Sequence, residues 1–154
     1  MRRTSFGDAT CPAARALDEI GDWWTLLIVR DAVHGARRFG EFQKNLGLAK
    51  NILASRLRKM VTDGILEIRP GTDGRAHNEY HLTKKGLRLR LVLVALRQWG
   101  EDHLFTAGEP MLVMVDKAAG RPIGRLRLTA RDGRVLEPSD VTVKTGRAGR
   151  QPGA

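Results

Sequence analysis

Polar and basic side chains gather on one side of a predicted helix between residues 49 and 62. At 100° per residue, Leu53, Leu57 and Met60 form the opposite, apolar side. Asn, Ser and Arg side chains can hydrogen-bond to base edges, and cations can neutralise phosphates. This side of the helix therefore predicts contact with a nucleic acid. The residues expected to make it are Lys50, Asn51, Ser55, Arg58 and Lys59.

A second, shorter helix precedes this one. Phe39, Phe42 and Leu46 recur at i, i+3 and i+7, and the turn Asn45-Leu46-Gly47-Leu48 then leads into the basic helix. Two helices joined by a short turn that contains glycine are typical of a helix-turn-helix. Arg37 and Arg38 lie just ahead of the shorter helix, where we expect them to contact the DNA backbone.

A predicted β-hairpin follows the basic helix. Residues 65–69 and 78–83 have strand patterns, and the loop 70–77 between them is rich in Pro and Gly. We expect this hairpin to be a wing whose Arg75 and His77 lie against phosphates or in the minor groove. His77 and His81 have i, i+4 spacing, but on a loop and a strand they need not converge. We therefore predict no metal site and no cofactor.

Three further helices are predicted. One covers residues 12–20, and another begins after Asp22, its expected N-cap. Thr83 is the expected cap of a long helix over residues 84–104, which is apolar nearly all round in its middle. Such a helix must be buried on several sides, and one small domain covers only one side, so we predict a homodimer. Arg56 lies towards the buried side of the basic helix, where it can pair with Asp18 or Glu67 or contact DNA.

The predicted fold class is mainly α with a small β-hairpin wing, a winged helix-turn-helix, followed by a short β-rich C-terminal extension. Residues 1–10 are expected to be a flexible N-terminus, and 11–105 to form the DNA-binding and dimerisation domain. The extension covers 109–146 as short alternating strands (MLVMV, IGRLRLT, RVLEP, VTVKT), with turns at Gly120-Arg121-Pro122 and Asp132-Gly133. Residues 147–154 are rich in Gly and expected to be disordered.

The charge of the chain favours an anionic partner. Lys and Arg number 27 against 17 Asp and Glu, a formal net charge of +10, with the excess spread over residues 1–105 and the remainder. An RNA- or ribosome-binding protein is equally basic, but it would need exposed aromatic residues on a sheet or a GXXG clamp. Nucleotide-binding, metalloprotease and hydrolase motifs are absent from the sequence, so an enzyme is not expected. The N-terminus has no secretory signal, and no apolar run is long enough for a membrane span, so a cytoplasmic protein is expected.

Cys11 is the single cysteine, which excludes an internal disulfide framework. It precedes Pro12 at a helix N-terminus with Arg15 one turn on, and both the helix dipole and a cation favour a reactive thiolate. A redox sensor and an inert, half-buried thiol are both open readings. Two readings also remain for Trp23, Trp24 and Trp99, which either pack in the core or line a pocket for a small effector.

The chain resembles the HxlR-type regulators, a branch of the MarR-like winged-helix proteins. From about Cys11 to Leu104 it contains, in order, CP, WTLLI, RRFxEF, LxxRLxKMxxDGILE and EYxLTxxG. The resemblance implies a DNA-binding dimer whose interface is formed by the first helix and by the helix 84–104. It implies that the helix carrying Lys50, Asn51, Ser55 and Arg58 enters the major groove, with the Arg75 loop as wing. Some members use a cysteine at the position of Cys11 to sense oxidants or electrophiles.

The expected function is sequence-specific regulation of transcription, with repression favoured over activation. Two recognition helices would read the half-sites of a near-palindromic operator about one turn apart. An effector or Cys11 oxidation would act by favouring one arrangement of the two subunits over another.

Overall fold

Five helices and one β-hairpin follow one another in the N-terminal part of the chain. The computed structural model describes residues 5–71 and 77–147. The elements in chain order are α1 (Pro12–Ile20), α2 (Trp23–Val33), α3 (Phe39–Leu46), α4 (Lys50–Thr62), β1 (Leu66–Pro70), β2 (Asn78–Leu82) and α5 (Lys84–His103). This mainly helical arrangement with a hairpin after α4 confirms the predicted winged helix-turn-helix fold class.

Side-chain caps fix where two of the helices begin. The Asp22 carboxylate accepts a hydrogen bond from the backbone N–H of Thr25 at 3.0 Å, and the Thr83 hydroxyl accepts one from the backbone N–H of Gly86 at 3.1 Å. Each bond satisfies an N–H group that the first turn of a helix would otherwise leave unpaired. Both caps were predicted. Gly47 ends α3 in the left-handed region, with φ of 65°.

The core is built from one face of each of α2, α3 and α4. Ile28 and Val29 of α2, Phe42 of α3 and Leu53 and Leu57 of α4 are completely buried. Met60 at the end of α4 and Ile65 and Leu66 beyond it complete this cluster. Each such side chain contributes roughly 1.5–3 kcal/mol through removal from water. The apolar line predicted for α4 is confirmed, which fixes the opposite side of that helix as its outer surface.

The hairpin is anchored to neighbouring segments at the middle of β2 and directly after it. Its strands are antiparallel, with Leu66 opposite Leu82 and Pro70 opposite Asn78. The backbone N–H of Tyr80 donates to the carbonyl of Arg37 at 2.7 Å, which joins β2 to the segment before α3. Directly after β2 the Thr83 hydroxyl donates to the carbonyl of Gly64 at 2.5 Å. These bonds place the hairpin beside the helix-turn-helix.

Helix α5 leaves much of its apolar surface exposed in the single chain. Leu89 and Leu93 are partly buried against the core, whereas Leu91, Leu96 and Trp99 are each more than half exposed. Only Gly86 and Gln98 of this helix are fully buried. One chain therefore covers one side of α5, as the sequence pattern predicted.

The chain divides into two compact units, Met1–Phe105, here called the winged-helix unit, and Thr106–Ala154, here called the extension. The boundaries predicted from the sequence, 1–10, 11–105, 109–146 and 147–154, stay predictions.

The extension contains turns and one short 3-10 helix, Pro138–Asp140, without regular strands. Two isolated antiparallel bridges, Val115 with Pro122 and Thr129 with Val135, stand where strand ladders were expected. The turns themselves were predicted, and Gly120 and Gly133 adopt positive φ in them. No residue of 106–147 is buried. Short hairpins need a packed apolar face to be stable as ladders, and this unit has none within the described residues.

Candidate nucleic-acid interface

The outer side of α4 is polar and positively charged. Lys50, Asn51, Ser55, Arg58 and Lys59 are all exposed, as the helical periodicity predicted. The buried face beneath them holds the helix in place, so their directions are set by the packing of the core.

Four of these side chains are not used inside the molecule. Lys50, Asn51, Ser55 and Arg58 make no side-chain hydrogen bond or ion pair with any part of the chain that the structure describes. Lys59 differs, because its ammonium group lies 2.5 Å from the carboxylate of Asp63. An exposed i, i+4 pair of this kind contributes little to stability and can exchange for a phosphate. The unpaired donors and acceptors of α4 are thus available to an external ligand.

The sequence analysis expected Arg56 to pair with Asp18 or Glu67 or to contact DNA. The structure shows a different carboxylate as its partner. Its guanidinium lies 3.3 Å from Asp22, the cap of α2. Asp18 instead accepts a hydrogen bond from the hydroxyl of Ser5, and Glu67 pairs with Arg69 along its own strand. The Arg56 pair connects α4 to the start of α2, an arrangement that sequence separation alone did not indicate.

Arg37 and Arg38 lie between α2 and α3, partly buried. The Arg37 guanidinium donates to the carbonyl of Ala32 in the last turn of α2 at 2.6 Å and to the carbonyl of Ala36 at 2.8 Å. The backbone N–H groups of both arginines donate to Glu41 at 2.7 and 2.9 Å. These two bonds are the main reason that the pKa of Glu41 is lowered; burial opposes them, and the charges of Arg38 and Arg37 lower the pKa further. Both arginines therefore have structural roles beside any contact with DNA.

The wing loop is described only at its edges. Arg75 lies outside the described residues, whereas His77 is described and is partly buried. The backbone N–H of Gly71 donates to the carbonyl of His77 at 2.8 Å, which closes the base of the loop. The roles predicted for Arg75 and His77 in DNA binding stay predictions.

A cluster around Glu79 was missed by the sequence analysis. Glu79 is 6% exposed, and its carboxylate lies 3.1 Å from Nε2 of His81, 3.6 Å from Nε of Arg38 and 3.9 Å from Nε2 of His77. The two histidines thus converge on one carboxylate, although their spacing did not require it. The signal was present in the sequence, since residues 77, 79 and 81 share one face of an extended strand.

Cys11 is exposed and forms no disulfide. It occupies the N-cap position of α1, without a side-chain hydrogen bond to the helix. Arg15 turns its guanidinium to the carbonyl of Ala9 at 2.6 Å. Its position at the helix N-terminus is the one predicted from the sequence. The exposed thiol disagrees with the alternative prediction, which was a half-buried thiol.

The three tryptophans have different environments. Trp24 packs against the core, whereas Trp23 and Trp99 are 72% and 56% exposed. Trp23 and Trp24 contact each other edge to face, with ring centroids 6.0 Å apart. Core packing therefore accounts for Trp24 alone.

Residues 5–71 and 77–147 contain neither a cluster of metal ligands nor a membrane-spanning helix. No group of three His, Cys, Asp or Glu side chains in these ranges is arranged to hold a metal ion. None of the helices described there is long and apolar enough to cross a membrane.

Helices α3 and α4, the tight turn at Gly47 and the hairpin that follows define a winged helix-turn-helix, a class of protein that binds DNA. The model of the HxlR-like helix-turn-helix family matches residues 19–107. The chain belongs to this family of transcriptional regulators.

Comparisons with individual proteins agree with the family. The chain is 34% identical over 132 residues to an uncharacterized HTH-type transcriptional regulator of Mycobacterium tuberculosis, an alignment that covers 86% of this chain and 84% of the relative. It is similar to the crystal structure of PA1607, a candidate transcription factor, with 51% identity and a TM-score of 0.88 over 93% of this chain and 100% of the other.

A third comparison covers a smaller share of the chain. The redox regulator HypR in its oxidized form is 28% identical with a TM-score of 0.55, and the match covers 62% of this chain and 100% of HypR. PA1607, in contrast, matches nearly the whole chain.

Proposed function

We propose that the protein is a transcriptional repressor that binds a near-palindromic operator as a homodimer. The observation that carries the proposal is the exposed polar side of α4, where four side chains have no partner in the described residues, set on a buried apolar face. Asn51, Ser55 and Arg58 would read base edges in the major groove, and Lys50 would contact phosphates or bases beside them. A dimer bound across a promoter would exclude RNA polymerase. The place of action would be the cytoplasm, where a bacterial chromosome lies.

The wing and the start of α3 would position the dimer on the backbone of the duplex. The residues proposed for these contacts are Arg37, Arg38, Lys59, Arg75 and His77. Each phosphate neutralised by a cation releases counterions, so we expect affinity to fall steeply as salt rises. The net charge of +10 supports this part of the proposal.

The homodimer is proposed to form through α1 and α5. Leu17 of α1 and Leu91, Leu96 and Trp99 of α5 are all more than half exposed in the single chain. Apolar side chains at this density on a long helix are typical of an interface between subunits. Dimerisation would place two copies of α4 about one helical turn apart on the duplex.

Selection of bound duplexes from a random pool tests the proposed function. We expect an enriched near-palindrome whose half-sites lie about 10 base pairs apart, centre to centre. RNA of matched sequence should compete poorly. The alternative, a constitutive RNA- or ribosome-binding protein, predicts the reverse order of affinities. A pool that yields no enriched sequence, or an RNA that wins the competition, would contradict the proposal.

Regulation is proposed to act through Cys11 or through a small effector. Peroxide converts an exposed thiol to a sulfenic acid with release of water, and this change at the start of α1 would alter the proposed dimer interface. HypR, the neighbour described above, is a redox regulator solved in an oxidized form. We expect peroxide to change the operator affinity of the wild-type protein but not of Cys11→Ser. Equal responses would exclude Cys11 oxidation and leave a small effector as the proposed input.

A further inference from the structure

Glu79 of β2 is a buried carboxylate beside an arginine that begins α3. We propose that Glu79 is a positioning residue, which sets the direction in which Arg38 and the wing meet the DNA backbone. On this view it controls how well the protein discriminates its operator from other sequences. The inference rests on the proposed DNA-binding function and deepens it.

The burial of Glu79 requires charged or hydrogen-bonding partners. A carboxylate that is 6% exposed has lost most of its hydration, which is unfavourable unless neighbouring groups replace the water. His81 lies at hydrogen-bond distance from one carboxylate oxygen, and Arg38 and His77 face the other at 3.6 and 3.9 Å. The cluster thus holds side chains from β2, the wing loop and the start of α3 around one charge.

Arg38 is held from both sides by this arrangement. Its backbone N–H donates to Glu41 at 2.9 Å, and its guanidinium lies beside Glu79. The backbone N–H of Tyr80 also donates to the carbonyl of Arg37, the residue before Arg38, and so joins β2 to the same segment. The Arg38 side chain nevertheless keeps 39% of its surface exposed, so it can contact a phosphate without leaving Glu79.

Fixed phosphate contacts matter for specificity because they set the register of the recognition helix. A cation that is held in one direction supports the register in which α4 meets the right bases. A cation released from Glu79 attracts phosphates in many registers. Loss of the Glu79 charge should therefore strengthen binding to unrelated DNA and weaken discrimination.

The test compares Glu79→Gln with Glu67→Gln. Glu67 lies opposite His81 in the hairpin register, so its side chain shares the face of Glu79, but that side chain is 44% exposed and pairs with Arg69. Both substitutions remove one negative charge from the same face of the wing, and only the first touches Arg38. The measurement is the affinity for a selected duplex and for its scrambled sequence, at several salt concentrations.

We expect Glu79→Gln to lower the ratio of the two affinities about tenfold and Glu67→Gln to leave it unchanged. The Arg38→Gln protein should show a similar loss, and adding Glu79→Gln to it should lower the ratio no further, because both act through one contact. A merely structural role would lower the melting temperature and both affinities together. Arg38→Gln gives the same test if Glu79→Gln does not fold.

Two outcomes would overturn the inference and are distinguishable. If the wild-type protein discriminates the duplexes and Glu79→Gln and Arg38→Gln keep the wild-type ratio, the positioning role is wrong while the proposed function stands. If the wild-type protein binds neither duplex, the proposed function fails and the positioning role fails with it.

Discussion

Asn51, Ser55 and Arg58 are polar side chains that the fold exposes without giving them a partner in the described residues. A single exposed polar side chain without a partner is common on protein surfaces. Here the property is shared by neighbours on one side of a helix whose other side is fully buried. Helical periodicity was enough to predict this, because it fixes which residues share a face. Arg38 and Glu79 come together only in the tertiary structure, which is why their pairing was not foreseen.

Replacement of Arg58 tests the proposed contact surface directly. We expect Arg58→Ala to weaken binding to a selected duplex by about 1–3 kcal/mol, because it removes a cation and its hydrogen bonds from the recognition helix. Lys117→Ala is the control, since it removes the same charge from the extension. Fluorescence anisotropy with labelled duplex measures both. Equal losses in the two proteins would show that only net charge matters.

Glu41 is expected to make the stability of the winged-helix unit depend on pH. Its pKa is lowered in the folded protein, mainly by the hydrogen bonds from the backbone of Arg37 and Arg38. Unfolding removes these bonds, so the carboxylate contributes stability above its ordinary pKa, and this contribution is lost as the pH falls through the lowered value. We expect Glu41→Gln to cost about 0.5–1 kcal/mol at pH 7.

The difference between wild type and Glu41→Gln should shrink as the pH falls from about 5 to about 3. Urea denaturation at each pH measures it. A difference that stays constant across this range would contradict the role assigned to the Glu41 charge.

At the scale of elements, local sequence signals predicted the helices well and the extension poorly. Pro12, Asp22 and Thr83 begin helices where their side chains predicted, because capping is a local interaction. The strands expected in the extension depended on alternation alone. Alternation requires a buried face to become a ladder, and no residue of 106–147 is buried. Turn residues still acted locally, as Gly120 and Gly133 show.

The start of α5 packs so closely on the chain before the wing that it tolerates no added methyl group. A Cβ on Gly86 would lie 2.2 Å from the carbonyl oxygen of Ile65. We therefore expect Gly86→Ala to destabilise the protein by about 1–3 kcal/mol, because the helix and its Thr83 cap must shift. Thermal unfolding measures this loss.

Gly100 of the same helix is the matched control for Gly86. Its Cβ would meet only Leu104, at 3.9 Å. Gly100→Ala should be neutral or stabilise by about 0.5–1 kcal/mol, since alanine favours a helix interior. A loss of stability equal to that of Gly86→Ala would contradict the packing described.

At the scale of the whole molecule, the exposed apolar side of α5 is the basis for the proposed homodimer. We expect Leu91→Glu to raise the dissociation constant of the dimer about 30- to 1,000-fold, which corresponds to roughly 2–4 kcal/mol, because it buries a charge against the partner. Sedimentation velocity measures the change. Val33→Glu adds the same charge to α2, outside the proposed interface, and should leave the dimer intact. If Leu91→Glu does not affect the dimer, the proposal that α5 forms the interface is wrong.

The central claim is that α4 of each subunit lies in the major groove, and affinity cleavage tests it most directly. Cys11 is the single cysteine, so the variant Cys11→Ser with Ala49→Cys carries one thiol, at the exposed N-cap of α4. A DNA-cleaving iron chelate attached there should cut a selected duplex at two symmetric positions about one helical turn apart. The same chelate on Cys11→Ser with Val33→Cys should cut much less. Cuts of equal strength from both positions, or no cuts from Ala49→Cys on a duplex that is bound, would contradict the claim.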